Sequence, residues 1–228
     1  MADAAMRNAA HREWTCVLFD LDGTIADSAK GITESLAATL AELCLEVPPL
    51  EELRSWVGPP PAESFRYRLG FDAVAAEHAR QLYRKHYDRI GNTDIRPFDA
   101  IPPVLESLSR AGIPVGVATS KPEHTAIKVL ERLGLASYFK AIVGASKDET
   151  ISAKAAIVGE ALRRLRAAGV DTNNPVMVGD RVHDIVGAAE HGIPTVLVEW
   201  GYAEPSERAQ AMATVGSAAA LENILLPA

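Results

Sequence analysis

Cysteine is nearly missing from this chain. Cys16 and Cys44 are its whole complement in 228 residues, too few and too unpatterned for a disulfide framework or a zinc cluster. Six histidines are present, and their spacing matches no metal site. No apolar run approaches the length that crosses a bilayer, and the opening stretch from Met1 to Trp14 lacks the apolar core of a signal peptide. Basic residues are in deficit: 23 Lys and Arg against 30 Asp and Glu leave a net charge of −7. That balance argues against a nucleic-acid surface, but not against a small anionic substrate, whose local field the site itself sets. Internal repeats and low-complexity segments are absent. The expectation is a soluble, cytoplasmic chain with no membrane or nucleic-acid partner, a flexible arm over residues 1–14, and a monomeric or homodimeric state.

What the chain does have is apolar mass. Hydrophobic residues make up 48%, enough for one large or two modest domains. From Ser28 to about Thr93 no strand pattern occurs; Ile32, Leu36, Leu40 and Leu43 recur at helical spacing, as do Ala79, Leu82, Tyr83, His86 and Ile90. Gly58-Pro59-Pro60-Pro61 breaks this helical block in the middle. From Asp94 onward strands alternate with helices: Val115–Thr119, Ala141–Gly144, Val176–Val178 and Thr195–Val198, with Gly112, Gly134, Gly169 and Gly192 ending helices. Ser217–Leu226 reads as a closing helix with Ser217 as its N-cap. Alternating strand and helix imply a parallel sheet with right-handed crossovers. The fold expected is a doubly wound α/β core over 15–27 and 94–228, with residues 28–93 inserted after the first strand as a helical cap.

The candidate chemistry collects at strand ends. Thr15–Phe19 is apolar and β-branched, and the run Asp20-Leu21-Asp22-Gly23-Thr24 follows it directly. Alternation sends the Asp20 and Asp22 side chains the same way, and Gly23 lets the backbone turn close to a bound group. Two acids forced together repel unless a cation or shared proton intervenes. Mg²⁺ suits hard oxygen ligands at such a place. Pro114–Ser120 is a second apolar strand ending in the hydroxyls of Thr119 and Ser120. Lys154 opens a helical pattern, where a cation opposes the helix dipole. Pro175–Asp180 is a third strand ending in an acid, with Asp184 one helical turn on.

In this order the four segments resemble the motifs of the haloacid dehalogenase superfamily of phosphohydrolases, and the match reaches from about Thr15 to Tyr202. The resemblance implies a Rossmann-like core with strand order 3-2-1-4-5 and a small helical cap between the first two motifs. It further implies Asp20 as nucleophile forming an aspartyl-phosphate, and Asp22 as general acid and base. Thr119 would bind phosphate; Lys154 would offset the Asp20 charge and hold phosphate oxygens. Mg²⁺ would be held by Asp20, the Asp22 carbonyl and Asp180, with Asp184 holding a metal-bound water or orienting Lys154. Gly23 and Ser120 join the substrate-binding set.

Other residues stay open between two readings. Thr119 and Ser120 also suit a helix cap, with Pro122 as the first helical residue. Lys121 is either a solvated lysine or a contact to substrate or cap. Arg54 and Trp56 flank a cap loop that either faces the substrate or merely turns. Trp200-Gly201-Tyr202 resembles a segment of phosphoglycolate phosphatase-like members, and either borders the pocket mouth or packs beneath it. Arg181 and His183 read as supporting or surface residues.

The expected function is a Mg²⁺-dependent phosphatase acting on a small phosphate monoester, phosphoglycolate-like or a small sugar phosphate. A 5′-nucleotidase is the nearest alternative. A β-phosphoglucomutase-like mutase is disfavoured because Val57–Pro61 supplies no base for a second phosphate, and a dehalogenase because it needs no second acid such as Asp22. An inactive regulatory module would lack a motif residue, and none is missing.

Overall fold

Apolar β-branched runs separated by helical stretches fold here into alternating layers. The structure is a computed structural model that describes residues 14–91, 94–146 and 151–226. The described chain divides into two compact units, one built from residues up to Ala26 and from Pro97 onward, the other from Asp27–Arg96. In chain order, β1 (Cys16–Phe19) and β2 (Ala26–Asp27) precede four helices: α1 (Ala29–Glu42), α2 (Leu50–Arg54), α3 (Pro61–Leu69) and α4 (Ala73–His86). Then come β3 (Arg96–Pro97), α5 (Ile101–Arg110), β4 (Val115–Pro122), α6 (Glu123–Arg132), β5 (Phe139–Ala145) and α7 (Lys154–Ala167). The chain closes with β6 (Pro175–Gly179), α8 (Val182–Ala189), β7 (Thr195–Val198), β8 (Ala213–Val215) and α9 (Ala218–Leu225).

The main sheet is wholly parallel, in the order β5-β4-β1-β6-β7-β8. Counting only the five longer strands, this is 3-2-1-4-5. β1 is its centre: Val17 pairs with Val115 of β4 on one side and with Val176 of β6 on the other. All four residues of β1 are fully buried, as a strand covered on both faces requires. On one face Cys16, Leu18, Ala118 and Met177 pack with Ile157, Val158, Ala161 and Leu165 of α7. By alternation Val17 and Phe19 serve the opposite face. The connections leave β1 toward β4 and β5 on one side and reach β6, β7 and β8 on the other. In sheets of this order, ligands usually bind at that reversal, beyond the carboxyl end of the central strand.

Helix ends obey local chemistry. Gly112, Gly134, Gly169 and Gly192 stand at φ between 68° and 81°, a backbone region that costs glycine little, and each ends a helix as expected. Ser217 caps α9 by accepting from Ala220 N at 3.2 Å.

Three features differ from the sequence reading. β4 runs on through Ser120-Lys121 to Pro122, which is the N-cap of α6 rather than its first helical residue. Proline disfavours the helical region for the residue before it, so Lys121 stays extended. β8, with three residues, is too short to stand out from a loop in the sequence. The arm expected over 1–14 lies outside the described residues except for Trp14, which is buried and donates from Nε1 to Ile224 O at 2.7 Å.

The helical unit buries Ile32, Leu36 and Leu40 of α1 together with Thr33, Ser35 and Thr39. Those hydroxyls donate to carbonyls four residues back at 2.6–2.8 Å, so they are buried without an unmet donor. Asp72 caps α4, accepting from Ala75 N at 2.8 Å. A π-helical turn, Tyr87–Gly91, follows α4. Among the described residues no helix is long and apolar enough to cross a membrane.

Candidate active site

Strand ends that pair side by side deliver their next residues to one place. Asp20 follows β1, Thr119–Lys121 lie in β4 beyond its pairing with β1, and Asp180 follows β6. Lys154 is the first residue of α7, and Asp184 lies in the first turn of α8. Asp20, Thr119, Lys121, Lys154, Asp180 and Asp184 are all buried.

The cluster has a clear order of contacts. Lys154 Nζ bridges two acids, 2.6 Å from Asp20 Oδ1 and 2.6 Å from Asp184 Oδ1. Asp184 Oδ2 accepts from the backbone N–H groups of Asp180 and Arg181 at 3.1 and 3.0 Å, so both its oxygens are engaged. Asp180 Oδ1 accepts from Thr24 Oγ1 at 3.2 Å and Oδ2 from Tyr202 N at 2.8 Å. Gly23 stands at φ 90°, and a Cβ there would fall on the Asp180 carboxylate, so glycine is required by both backbone and space.

Burial dominates the electrostatics. It pushes the Asp20 carboxyl up to about 7; Lys154 works against this, while Asp184 and Asp22 add to it. Asp180 is raised well above the carboxylate range by burial first, then by the charges of Asp184 and Asp20. Burial alone would pull Lys154 down, but Asp184 and Asp20 hold it above the ordinary lysine value. Carboxylate oxygens of Asp20, Asp180 and Asp184 lie within 4.8 Å of one another. The one ammonium in this cluster bridges only two of the three buried acids, so hard oxygen donors outnumber the cations that touch them. That donor chemistry fits a divalent cation such as Mg²⁺.

Lys121 is no solvated lysine. It is buried, with Nζ 3.1 and 3.0 Å from the two carboxylate oxygens of Asp22. Thr119 Oγ1 accepts from Lys121 N at 3.2 Å, and Ser120 is half-buried beside it.

Trp200-Gly201-Tyr202 packs beneath the acids. Trp200 Nε1 donates to Thr24 O at 3.1 Å, and a Cβ on Gly201 would collide with Asp180 and Gly23 O. Arg181 is buried against Glu207 rather than lying on the surface, and His183 is half-buried. The sequence reading gave no role to Thr24 or Glu207, and it singled out Tyr202 only as part of the 200–202 segment. Tyr202 acts through its backbone, which no side-chain pattern betrays. Thr24 stood inside the first motif, which was its visible signal.

Arg54 and Trp56 belong to the helical unit. Arg54 is exposed and borders a concavity of about 470 Å³ with Lys30, Glu34, Glu51, Asp94 and Arg96. Trp56 is buried, its ring edge-on to Phe65 at 6.4 Å between centroids.

A family model for haloacid dehalogenase-like hydrolases matches residues 17–198. The tyrosine-protein kinase PtkA of Mycobacterium tuberculosis is 42% identical over 186 residues, covering 82% of this chain but 62% of the relative. The chain therefore spans less than two thirds of that relative's length. A 5′-nucleotidase of Pseudomonas aeruginosa is 36% identical over 202 residues, 89% of this chain and 90% of the relative. Among solved structures, a "predicted phosphatase" from Clostridium acetobutylicum superposes with a TM-score of 0.86 at 35% identity, covering 92% of this chain and 97% of that one. The chain belongs to the haloacid dehalogenase-like hydrolases.

Proposed function

We propose that this protein is a Mg²⁺-dependent phosphatase that hydrolyses a small phosphate monoester through a phosphorylated Asp20. The observation that carries this reading is the buried Asp20 carboxylate, 2.6 Å from Lys154 and grouped with Asp180 and Asp184. A nucleophile facing a phosphate needs its own charge offset and donors for the phosphoryl oxygens. Lys154 answers the first need directly, and with Thr119 and Ser120 it answers the second.

Asp20 Oδ attacks phosphorus, a new P–O bond forms, and the bond to the leaving oxygen breaks. Asp22 hands that oxygen a proton, then takes one from the water that cleaves the acyl phosphate. Gly23 keeps the backbone close to the phosphoryl group. Asp20, the Asp22 carbonyl and Asp180 would hold Mg²⁺, which when bound stabilises negative charge on the phosphoryl oxygens. Asp184, engaged by Lys154 and two backbone N–H groups, orients rather than ligates.

The helical unit, with Arg54 and Trp56, would act as the cap that selects substrate and excludes water. Its loop Val57–Pro61 offers no base, which favours compact monoesters such as phosphoglycolate or small sugar phosphates over bisphosphates. Nucleotide hydrolysis is the second reading, favoured by a likeness to a 5′-nucleotidase that covers 89% of this chain and 90% of the relative.

A screen of phosphate monoesters with Mg²⁺ tests the assignment, nucleoside monophosphates and a tyrosine peptide with ATP included. Fastest release of phosphate from small acids or sugar phosphates supports the first reading. Dominance of nucleoside monophosphates would move it to the second. Phosphotyrosine formation without monoester hydrolysis would overturn both.

A further inference from the structure

Glu207 lies 27 residues beyond Asp180 in the sequence, outside every motif, yet it is buried against the same site. Its carboxylate takes the Arg181 guanidinium side-on, with Nε 3.1 Å from Oε2 and Nη2 3.2 Å from Oε1. The side chains are 7% and 10% exposed, so the pair is desolvated and any loss of one partner leaves the other stranded. Glu207 Oε2 also accepts from Val182 N at 3.3 Å, the first residue of α8. An anion at a helix start is favoured by the free N–H groups and the dipole there. Asp184 engages the N–H groups of Asp180 and Arg181 at the same turn. Glu207 thus supplies a helix cap from a distant segment.

That segment in turn holds Asp180. Between β7 and Glu207 the chain places Tyr202 N 2.8 Å from Asp180 Oδ2 and Trp200 Nε1 3.1 Å from Thr24 O. Thr24 holds the other Asp180 oxygen. Gly201 lets the backbone lie directly on Asp180, where any side chain would collide. One end of the strap is thus fixed by Trp200, the other by Glu207 on Arg181, the residue next to Asp180. A carboxylate that must meet a cation with both its orientation and its backbone defined needs such support.

We infer that Glu207 is a positioning residue of the acidic cluster: through Arg181 and the 200–207 strap it sets the orientation of the Asp180 carboxylate and so the affinity of the site for a divalent cation. This rests on the metal-binding reading of Asp180. Outer partners of metal ligands typically change affinity by about 10- to 100-fold when removed.

The test is direct Mn²⁺ binding to the full-length protein, read by calorimetry and by electron paramagnetic resonance, alongside Tm without metal. Glu207→Gln, which keeps size and removes charge, should weaken Mn²⁺ by about tenfold or more, with Glu207→Asp recovering part of it. Trp200→Phe loosens the other anchor without touching the ion pair, and should weaken Mn²⁺ in the same direction should Glu207→Gln fail to fold. Affinity within twofold of the parent in Glu207→Gln, or in Trp200→Phe where the former is unfolded, would overturn the inference, whatever happens to Tm. Asp180→Ala is the control: undiminished Mn²⁺ binding there would sink the metal reading itself, a result distinguishable from failure at Glu207.

Discussion

Lys121 Nζ sits 3.1 and 3.0 Å from the two carboxylate oxygens of Asp22, with the two side chains 5% and 13% exposed. The pair joins the end of β4 to the segment after β1, and so ties the second strand-end segment to the first. Breaking one side of a buried pair costs about 3–5 kcal/mol, while replacing both sides by apolar groups costs much less. Lys121→Met should therefore lower unfolding stability by roughly that amount, and the double variant Asp22→Leu, Lys121→Met should regain a good part of it. Denaturant titration of the parent, Lys121→Met, Asp22→Leu and the double variant checks this; no recovery in the double variant would mean the two residues act separately. Turnover should fall in Lys121→Met too, by about 10²-fold, since the proposed proton transfer needs Asp22 held in place.

Asp20→Asn separates chemistry from stability. The variant removes the proposed nucleophile, so turnover should drop below detection, by at least about 10³-fold. Its carboxyl is pushed up to about 7, mainly by burial, which means that keeping it ionised opposes folding. Without metal at pH 8, the Asn variant should melt no lower than the parent, and higher if Lys154 remains satisfied by Asp184. A clear loss of Tm would show that the Lys154–Asp20 contact outweighs the burial of the charge.

Metal and pH are linked through the same group. In the folded protein Asp20 holds its proton up to about 7, against an ordinary value of 3.8, and Asp180 is raised in the same direction. At these two groups the folded state binds protons more tightly than the unfolded one, so their contribution to metal-free stability should fall as pH rises from about 4 to 7. Mg²⁺ held by these acids would compete with those protons. The increase in Tm on adding Mg²⁺ should be larger at pH 8 than at pH 5.5, and Asp180→Ala should diminish it far more than Asp184→Ala. A metal effect independent of pH, or unchanged in Asp180→Ala, would contradict the assignment.

How much of this the sequence showed depends on how each residue acts. Asp20 and Asp180 directly follow short buried apolar strands, Thr119 closes the apolar run of β4, and Lys154 opens α7, so each stands out as a polar residue at the edge of a visible pattern. The helix-ending glycines were visible because positive φ nearly requires glycine. Lys121 was harder. A lysine beside Ser120 reads as solvated, and only the continuation of β4 to Pro122 turns it inward to Asp22. Glu207 left no local signal, since it acts across 25 residues on Val182; the 200–202 segment was visible as a motif, but not the backbone N–H through which Tyr202 acts. β8 was hidden because three residues at a sheet edge carry no measurable period.

Gly201→Ala probes the close approach beneath Asp180. The added methyl would meet the Asp180 side chain and Gly23 O, neither of which can swing away as a flexible tip could. Turnover should fall by about 10²-fold, as misplacement by an ångström can do. Mg²⁺ affinity should weaken in parallel, while far-ultraviolet circular dichroism stays as in the parent. Undiminished activity would mean that the strap can shift without moving Asp180.

The central claim, a phosphoryl group carried by Asp20, is most directly tested by trapping. The enzyme is quenched in acid during turnover of its best monoester, reduced with borohydride, digested and mapped by mass spectrometry. An acyl phosphate on Asp20 would be reduced to homoserine at that position, absent from Asp20→Asn and from enzyme quenched without substrate. Homoserine at another position, or none while Asp20→Asn continues to turn over, would contradict the account.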